Sequence, residues 1–278
     1  MTTTLDAPAP TGRTLAKIPE VSNRIGLKQT VQNSLTMAYR GILKIKHNPE
    51  QLFDVTIQPI LFTALFAFIF GGAMFGSVDN YLPLFIPGIL VQTVVLTSIV
   101  TGTQLREDMD KGVFDRFKSL PIARISALSG ALIADMVRYL IATTLTVVMG
   151  LILGYRPGGG FVGVLAACLM VIVCSFAISW IWALVGVTGK SASAVQGISM
   201  IIMFPLTFVS GAFAPVSSMP GWLQGINHAN PVYYMVKAAQ ELMNANHYGS
   251  NLLWSLVGSL AVIVIIAPLT VRAYMRRA

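Results

Sequence analysis

"VTIQPILFTALFAFIFGGAMF", Val55 to Phe75, runs through 21 residues without a charge. At a rise of about 1.5 Å per residue, a helix of that length covers about 30 Å, the thickness of a bilayer's hydrocarbon core. Five more apolar segments of similar length follow, at about residues 82–104, 130–154, 161–187, 194–214 and 252–271. Pro59, Pro87, Pro205 and Pro268 lie within or beside these runs, a placement that membrane bundles accommodate better than soluble helices do. The predicted fold is therefore an all-α integral membrane protein of six transmembrane helices.

Composition agrees with that reading. The 278 residues are 55% hydrophobic and only 11% charged, with a mean hydropathy of +0.71. A soluble chain would carry roughly a quarter of its residues charged. The net charge of +8 does not point to nucleic acid, because the basic residues sit in the gaps between apolar runs instead of forming a stripe on a soluble surface. The amino terminus lacks the short apolar core and cleavage site of a signal peptide, so insertion is expected through the internal helices. Cys168 and Cys174 fall six residues apart in one span and read as packed small side chains.

Six spans put both termini on one side, and the Lys and Arg excess says which. Arg13, Lys17, Arg24, Lys28, Arg40, Lys44 and Lys46 precede the first span, the stretch from Arg106 to Arg124 follows the second, Lys190 follows the fourth, and Arg272, Arg276 and Arg277 close the chain. The opposite side holds only Arg156 and Lys237. Both termini are expected to be cytoplasmic.

Residues 1–26 have no hydrophobic period and are expected to form a disordered cytoplasmic tail. From residue 27 to 46, Leu27, Val31, Leu35, Ala38, Ile42 and Ile45 recur at three- and four-residue steps among basic residues. This predicts an amphipathic interfacial helix along the membrane surface, with a soluble helix bundled against a partner as the alternative. Between the fifth and sixth spans, residues 215–251 mix Trp222, Tyr233 and Tyr234 with prolines, which predicts short helices dipping into the outer interface. Glu241, His228 and His247 are too scattered there for a metal site, and no metal is expected anywhere in the chain.

Transport needs an energy source, and two can be weighed. An ion-coupled carrier places titratable groups in mid-membrane, where only Asp135 is a candidate. Arg138 follows one turn later, so the two can form an interfacial ion pair near the cytoplasmic end of span three; a gate or proton-linked element is the other reading. A nucleotide engine needs a phosphate loop, and "LVGVTGKSAS" supplies Gly189, Lys190 and Ser191 but has Leu184 where the first glycine belongs and no preceding strand. The chain is accordingly not expected to be an enzyme, and no catalytic residue is assigned.

With no engine of its own, the stretch "LREDMDKGVFDRFKSLPIAR", Leu105 to Arg124, becomes the place where one could attach. Val113, Phe114, Phe117 and Leu120 can form the apolar face of a short amphipathic helix, with Asp108, Lys111, Asp115, Arg116 and Lys118 carrying charge and Pro121 ending it. Mixed charge of this kind suits docking to a protein; a solvated loop is the plainer alternative.

The motifs "ILKIKHNPEQLFDVTIQPILF", "DKGVFDRFKSLPIAR", "LIADMVRY" and "MPGWLQGINHANPVYYMVKAAQELM" together resemble the permease subunits of type-2 ABC exporters, specifically the daunorubicin-resistance, DrrB-like permeases of actinobacteria. The resemblance covers nearly the whole chain after its first thirty residues and implies residues 27–278 as one transmembrane domain in the bacterial plasma membrane. It also implies a coupling helix between spans two and three that meets a separate ATPase, and assigns Asp110, Lys111, Gly112, Asp115, Arg116 and Pro121 to it. The implied working unit is a permease homodimer with two ATPase subunits, which would bind ATP and Mg while this chain carries no cofactor. Hydrophobic, anthracycline-like drugs are the expected cargo. An exporter of lipid or lipid-linked glycoconjugate is the alternative, disfavoured because the spans hold few amides beyond Gln58, Gln92, Gln104 and Gln196. An adaptable apolar drug path is expected from Phe66, Phe68, Phe75 and Phe85 with Met200, Met203, Phe204 and Phe208.

Overall fold

The structure, a computed structural model, describes residues 27–47, 49–112 and 124–277. Among the described residues there is no strand. Helices α1 (Leu27–His47), α2 (Pro49–Phe75), α3 (Val78–Thr97), α4 (Ile99–Asp110), α5 (Arg124–Ile152), α6 (Gly160–Thr188), α7 (Ala192–Val209), α8 (Gly221–His228), α9 (Pro231–Ala245) and α10 (Ser250–Arg277) follow in order, with one 3-10 turn at Val216–Ser218. Among the described residues, six stretches are long and apolar enough to cross a membrane: Thr56–Ala73, Val78–Asp110, Leu128–Ile152, Gly160–Thr188, Ala192–Val209 and Ser250–Arg276. The expected tail, residues 1–26, and residues 113–123, which hold Asp115, Arg116, Lys118 and Pro121 of the expected coupling helix, lie outside the described residues.

The second span is the pillar of the bundle. Its apolar window is 72% buried, against 22% for the first and fifth spans and 11% for the sixth. Tyr81, Phe85, Ile86, Leu90, Val94 and Val95 of α3 enter the main core, where they meet Met170 and Cys174 of α6 and Met235 and Leu242 of α9. Lipid is as apolar as these side chains, so close packing and internal hydrogen bonds hold such helices together.

Close packing is made possible by glycines at two crossings. A Cβ on Gly102 of α4 would run into the carbonyl oxygen of Trp182 in α6, and one on Gly186 would meet the carbonyl of Gly102. Helix α1 uses the same device against α5: Ser34 and Ala38 are buried, the Ser34 and Ser129 hydroxyls meet at 2.7 Å, and Gly41 abuts Ala134. The small edge of α1 thus faces the protein, while Val31 and Leu35 of its apolar set remain more than half exposed.

The second span is one pillar in two pieces. Thr97 and Ser98 donate their hydroxyls back to the carbonyls of Thr93 (2.8 Å) and Val95 (2.6 Å), a pattern that bends helices. Trp182 donates its indole N–H to the Ser98 oxygen at 3.1 Å and fixes the break against α6.

Proline leaves a second irregularity. Pro87 has no N–H for the Pro83 carbonyl, and Asn244 of α9 supplies its side-chain amide instead, at 2.8 Å. Gln240, one turn earlier on α9, donates to the neighbouring Leu84 carbonyl at 3.0 Å. Tyr155 then donates its hydroxyl to the Asn244 side-chain oxygen at 2.7 Å. The short helices α8 and α9 are therefore no loose outer loop: α9 buries Val232, Met235, Val236, Leu242 and Met243 inside the bundle. The fifth span stops at Val209, five residues short of the expected Ala214, because Ser210 closes on Thr207 and Gly211 turns the chain at φ +84°.

Candidate functional site

The charged end of the second span emerges directly from α4. Asp108 and Asp110 are part of this helix, so the second span continues past the expected residue 104 to Asp110, while the remainder of the expected amphipathic helix, from residue 113 on, lies outside the described residues. Arg106 pairs with Asp110, and Lys111 with Glu107 at 3.3 Å. Gly112 ends the helix at φ +63°, where a side chain would be strained, and its N–H reaches the Met109 carbonyl at 3.1 Å. Asp115, Arg116, Lys118 and Pro121 lie outside the described residues. Arg106, which sequence reasoning left unassigned, also donates to the Gly189 carbonyl at 2.8 Å and ties this end to the turn between α6 and α7. The glycine of the phosphate-loop lookalike is thus a helix cap, and Ser191 caps α7 by accepting from the Ala194 N–H at 3.2 Å.

Asp135 and Arg138 are joined as an ion pair, but it is not a solvated one. The residues are 3% and 2% exposed. Thr101 of α4 donates to the Asp135 carboxylate at 2.5 Å, and Arg138 donates to the Gln104 side-chain oxygen at 3.0 Å. Burial needs these extra partners, because desolvating two charges costs more than a bare pair returns. The pair pins α5 to the lower half of the second span.

The eight residues expected to line a drug path are split by the fold. Phe66, Phe85 and Phe208 converge on Phe213, with ring centroids 4.8, 6.3 and 4.7 Å from it, so spans one, two and five share an aromatic cluster whose centre nothing in the residue order singles out. Phe204 stacks on Phe208 at 4.2 Å, yet it and Phe68 remain more than half exposed on the outside of the bundle. Phe75 rests against Tyr81, and Met203 is buried in the core. Met200 lies elsewhere, at the edge of a cavity.

That cavity, about 110 Å³, opens between spans one, two and five, one helical turn along α3 from the aromatic cluster. Its polar lining is Gln58, Gln92, Gln196, Thr93, Thr97 and Thr103; Phe62, Leu96 and Met200 contribute apolar surface. Three of the four glutamines noted in the spans therefore meet at one place, which their positions along the chain do not disclose. Among the described residues, no charged side chain lines it.

Residues 32–244 match the ABC-2 type transporter family. The daunorubicin resistance ABC transporter permease protein DrrB1 of Streptomyces coeruleorubidus is 39% identical, over 99% of this chain and 97% of that one. The probable doxorubicin resistance ABC transporter permease protein DrrC of Mycobacterium tuberculosis H37Rv is 24% identical over 77% of this chain and 78% of its own. A putative transport permease, ycf38, of Cyanophora paradoxa is 26% identical over 74% and 72%.

Proposed function

Because the chain belongs to the ABC-2 type transporter family and is a multi-pass protein of the bacterial plasma membrane, we propose that it is the permease through which a separate ABC ATPase drives drug efflux. The observation that carries this reading is the near full-length similarity to a daunorubicin resistance permease. Anthracycline-like drugs are the proposed cargo, and two copies of the chain with two ATPase subunits the proposed assembly.

ATP and Mg²⁺ would be held by the ATPase and not by this chain. The partner would dock on the cytoplasmic face, on Asp108, Asp110, Lys111 and Gly112 at the end of α4 together with Asp115, Arg116, Lys118 and Pro121 beyond it. Arg106 supports that role by anchoring the end of α4 to the α6–α7 turn, so a load applied at Gly112 acts on more than one span. With both termini cytoplasmic, the cavity opens in the inner half of the membrane, where a drug dissolved in the inner leaflet would enter.

Drug efflux from proteoliposomes containing the chain, with and without its ATPase and with ATP supplied or withheld, tests the reading. Efflux is expected only when both are present. Efflux by the chain alone that collapses with the proton gradient would overturn it and make the Asp135–Arg138 pair the engine.

A further inference from the structure

The cross-helix hydrogen bonds of the second span sort into two sets that meet at Ser98. On the Val78 side, Tyr81 donates to the Phe213 carbonyl at 2.9 Å, and α9 serves the carbonyls of Pro83 and Leu84. On the Asp110 side, α4 is held through Thr101 to Asp135, through Gln104 to Arg138 and through Arg106 to Gly189. Where the sets meet, the backbone ladder is irregular. The Ser98 N–H is shared between the Val94 and Val95 carbonyls, at 3.1 and 3.2 Å, and the Thr101 N–H bonds three residues back to Ser98 at 3.2 Å. Tightened turns of this kind inside a helix often mark a hinge.

The cavity between spans one, two and five straddles this joint. Thr93, Leu96 and Thr97 line it from α3, and Ile99, Val100 and Thr103 line it from α4. Ser98 and Gly102, a turn apart, face α6 instead: the Trp182 indole N–H meets the Ser98 oxygen at 3.1 Å, and the Trp182 carbonyl lies against Gly102.

We infer that Ser98 is a hinge and Trp182 its fulcrum, through which movement of α4 by the ATPase changes the width of that cavity. This rests on the reading that a separate ATPase loads the Gly112 end of α4. The 12 residues of α4 make a lever about 18 Å long. A tilt of about 10° at Ser98 then carries Asp110 about 3 Å and Thr103 about 1 Å. A cavity of about 110 Å³ changes appreciably when one wall moves that far. The indole bond holds one setting of the joint. Without it α4 tilts independently of the ATPase, and hydrolysis and transport come apart.

The test uses proteoliposomes containing the full-length permease and its ATPase, in which daunorubicin efflux and ATP hydrolysis are measured together. Trp182→Phe removes the indole donor, and Ser98→Ala removes the hydroxyl that accepts from it. Each should hydrolyse ATP within about twofold of the wild type while the drug exported per ATP falls roughly tenfold, the effect of losing one buried hydrogen bond. Ser98→Thr, which keeps a hydroxyl, should restore much of the ratio. An unchanged ratio in both variants, or a parallel loss of hydrolysis and efflux, overturns the hinge and leaves the export reading standing. If the wild type exports no drug with ATPase and ATP supplied, that reading falls and the hinge falls with it. Should neither variant fold, amide hydrogen exchange on the wild-type complex decides. Trapping the ATPase with ATP and vanadate should change exchange at residues 99–102 more than in the flanking turns, and equal exchange in the two states overturns the inference.

Discussion

Thr101 donates its hydroxyl to the Asp135 carboxylate at 2.5 Å, from the second span to the third, and Arg138 closes the same carboxylate from its own helix. Removing the guanidinium with Arg138→Met leaves a buried charge uncompensated and should cost about 3–5 kcal/mol, seen as a large drop in the detergent melting temperature. Asp135→Asn keeps an acceptor for Thr101 but leaves the buried Arg138 charge without its carboxylate, so it should also destabilise by about 3–5 kcal/mol. Under the ATP-driven reading, Asp135→Asn retains efflux; loss of efflux in a chain that folds normally would contradict it.

The Asn244 amide stands in for the N–H that Pro87 lacks. Asn244→Ala should destabilise the protein by about 1 kcal/mol. In a Pro87→Ala background the helix can supply its own N–H to the Pro83 carbonyl, so the same substitution should cost less there, and a double-mutant cycle on melting temperature reads the difference. Tyr155, outside the spans, holds the other end of that amide, and burial pushes its phenol up from the ordinary tyrosine value. Its contribution should therefore be constant at neutral pH and fade only as pH rises above about 10, where the unfolded chain releases the proton first.

Gly102 has a backbone carbonyl where its side chain would be. Gly102→Ala should force α4 from α6 and lower stability by about 1–3 kcal/mol, whereas Gly197→Ala, with nothing within 4 Å of the added carbon, should be tolerated. Expression level and melting temperature of the two variants check the contrast.

Arg116→Glu and Asp115→Lys should weaken stimulation of the ATPase without reducing membrane insertion. Co-purification of the two subunits and the ATPase rate measure the first, and membrane fractionation the second. Normal transport by both variants would remove the docking assignment.

Much of the architecture could be read from apolar run length alone, because a bilayer sets the length of a spanning helix within narrow limits. Helix rotation could not. A span that is apolar all round carries no amphipathic signal, so nothing in the order of residues separates Phe85, fully buried, from Phe68, 65% exposed. The ion pair was visible as an i, i+3 spacing, but its burial depends on Thr101 and Gln104, which lie 34 residues away from their partners. The break at Ser98 has no proline or glycine to announce it; it comes from two adjacent hydroxyls and the indole of Trp182. Gln58, Gln92 and Gln196 could be counted in the sequence, but only the packing of three spans makes them neighbours.

The cap on Pro83 also sets a timetable for biogenesis. Asn244 is made 161 residues after the carbonyl it serves. At a synthesis rate of 5–20 residues per second, about 8 to 30 seconds pass between the two. During that interval the second span sits in the insertion machinery or the lipid with an open acceptor, and a nascent chain cut off before α9 never closes it. The central pillar of the bundle is thus among the earliest parts to be made and among the last to be finished.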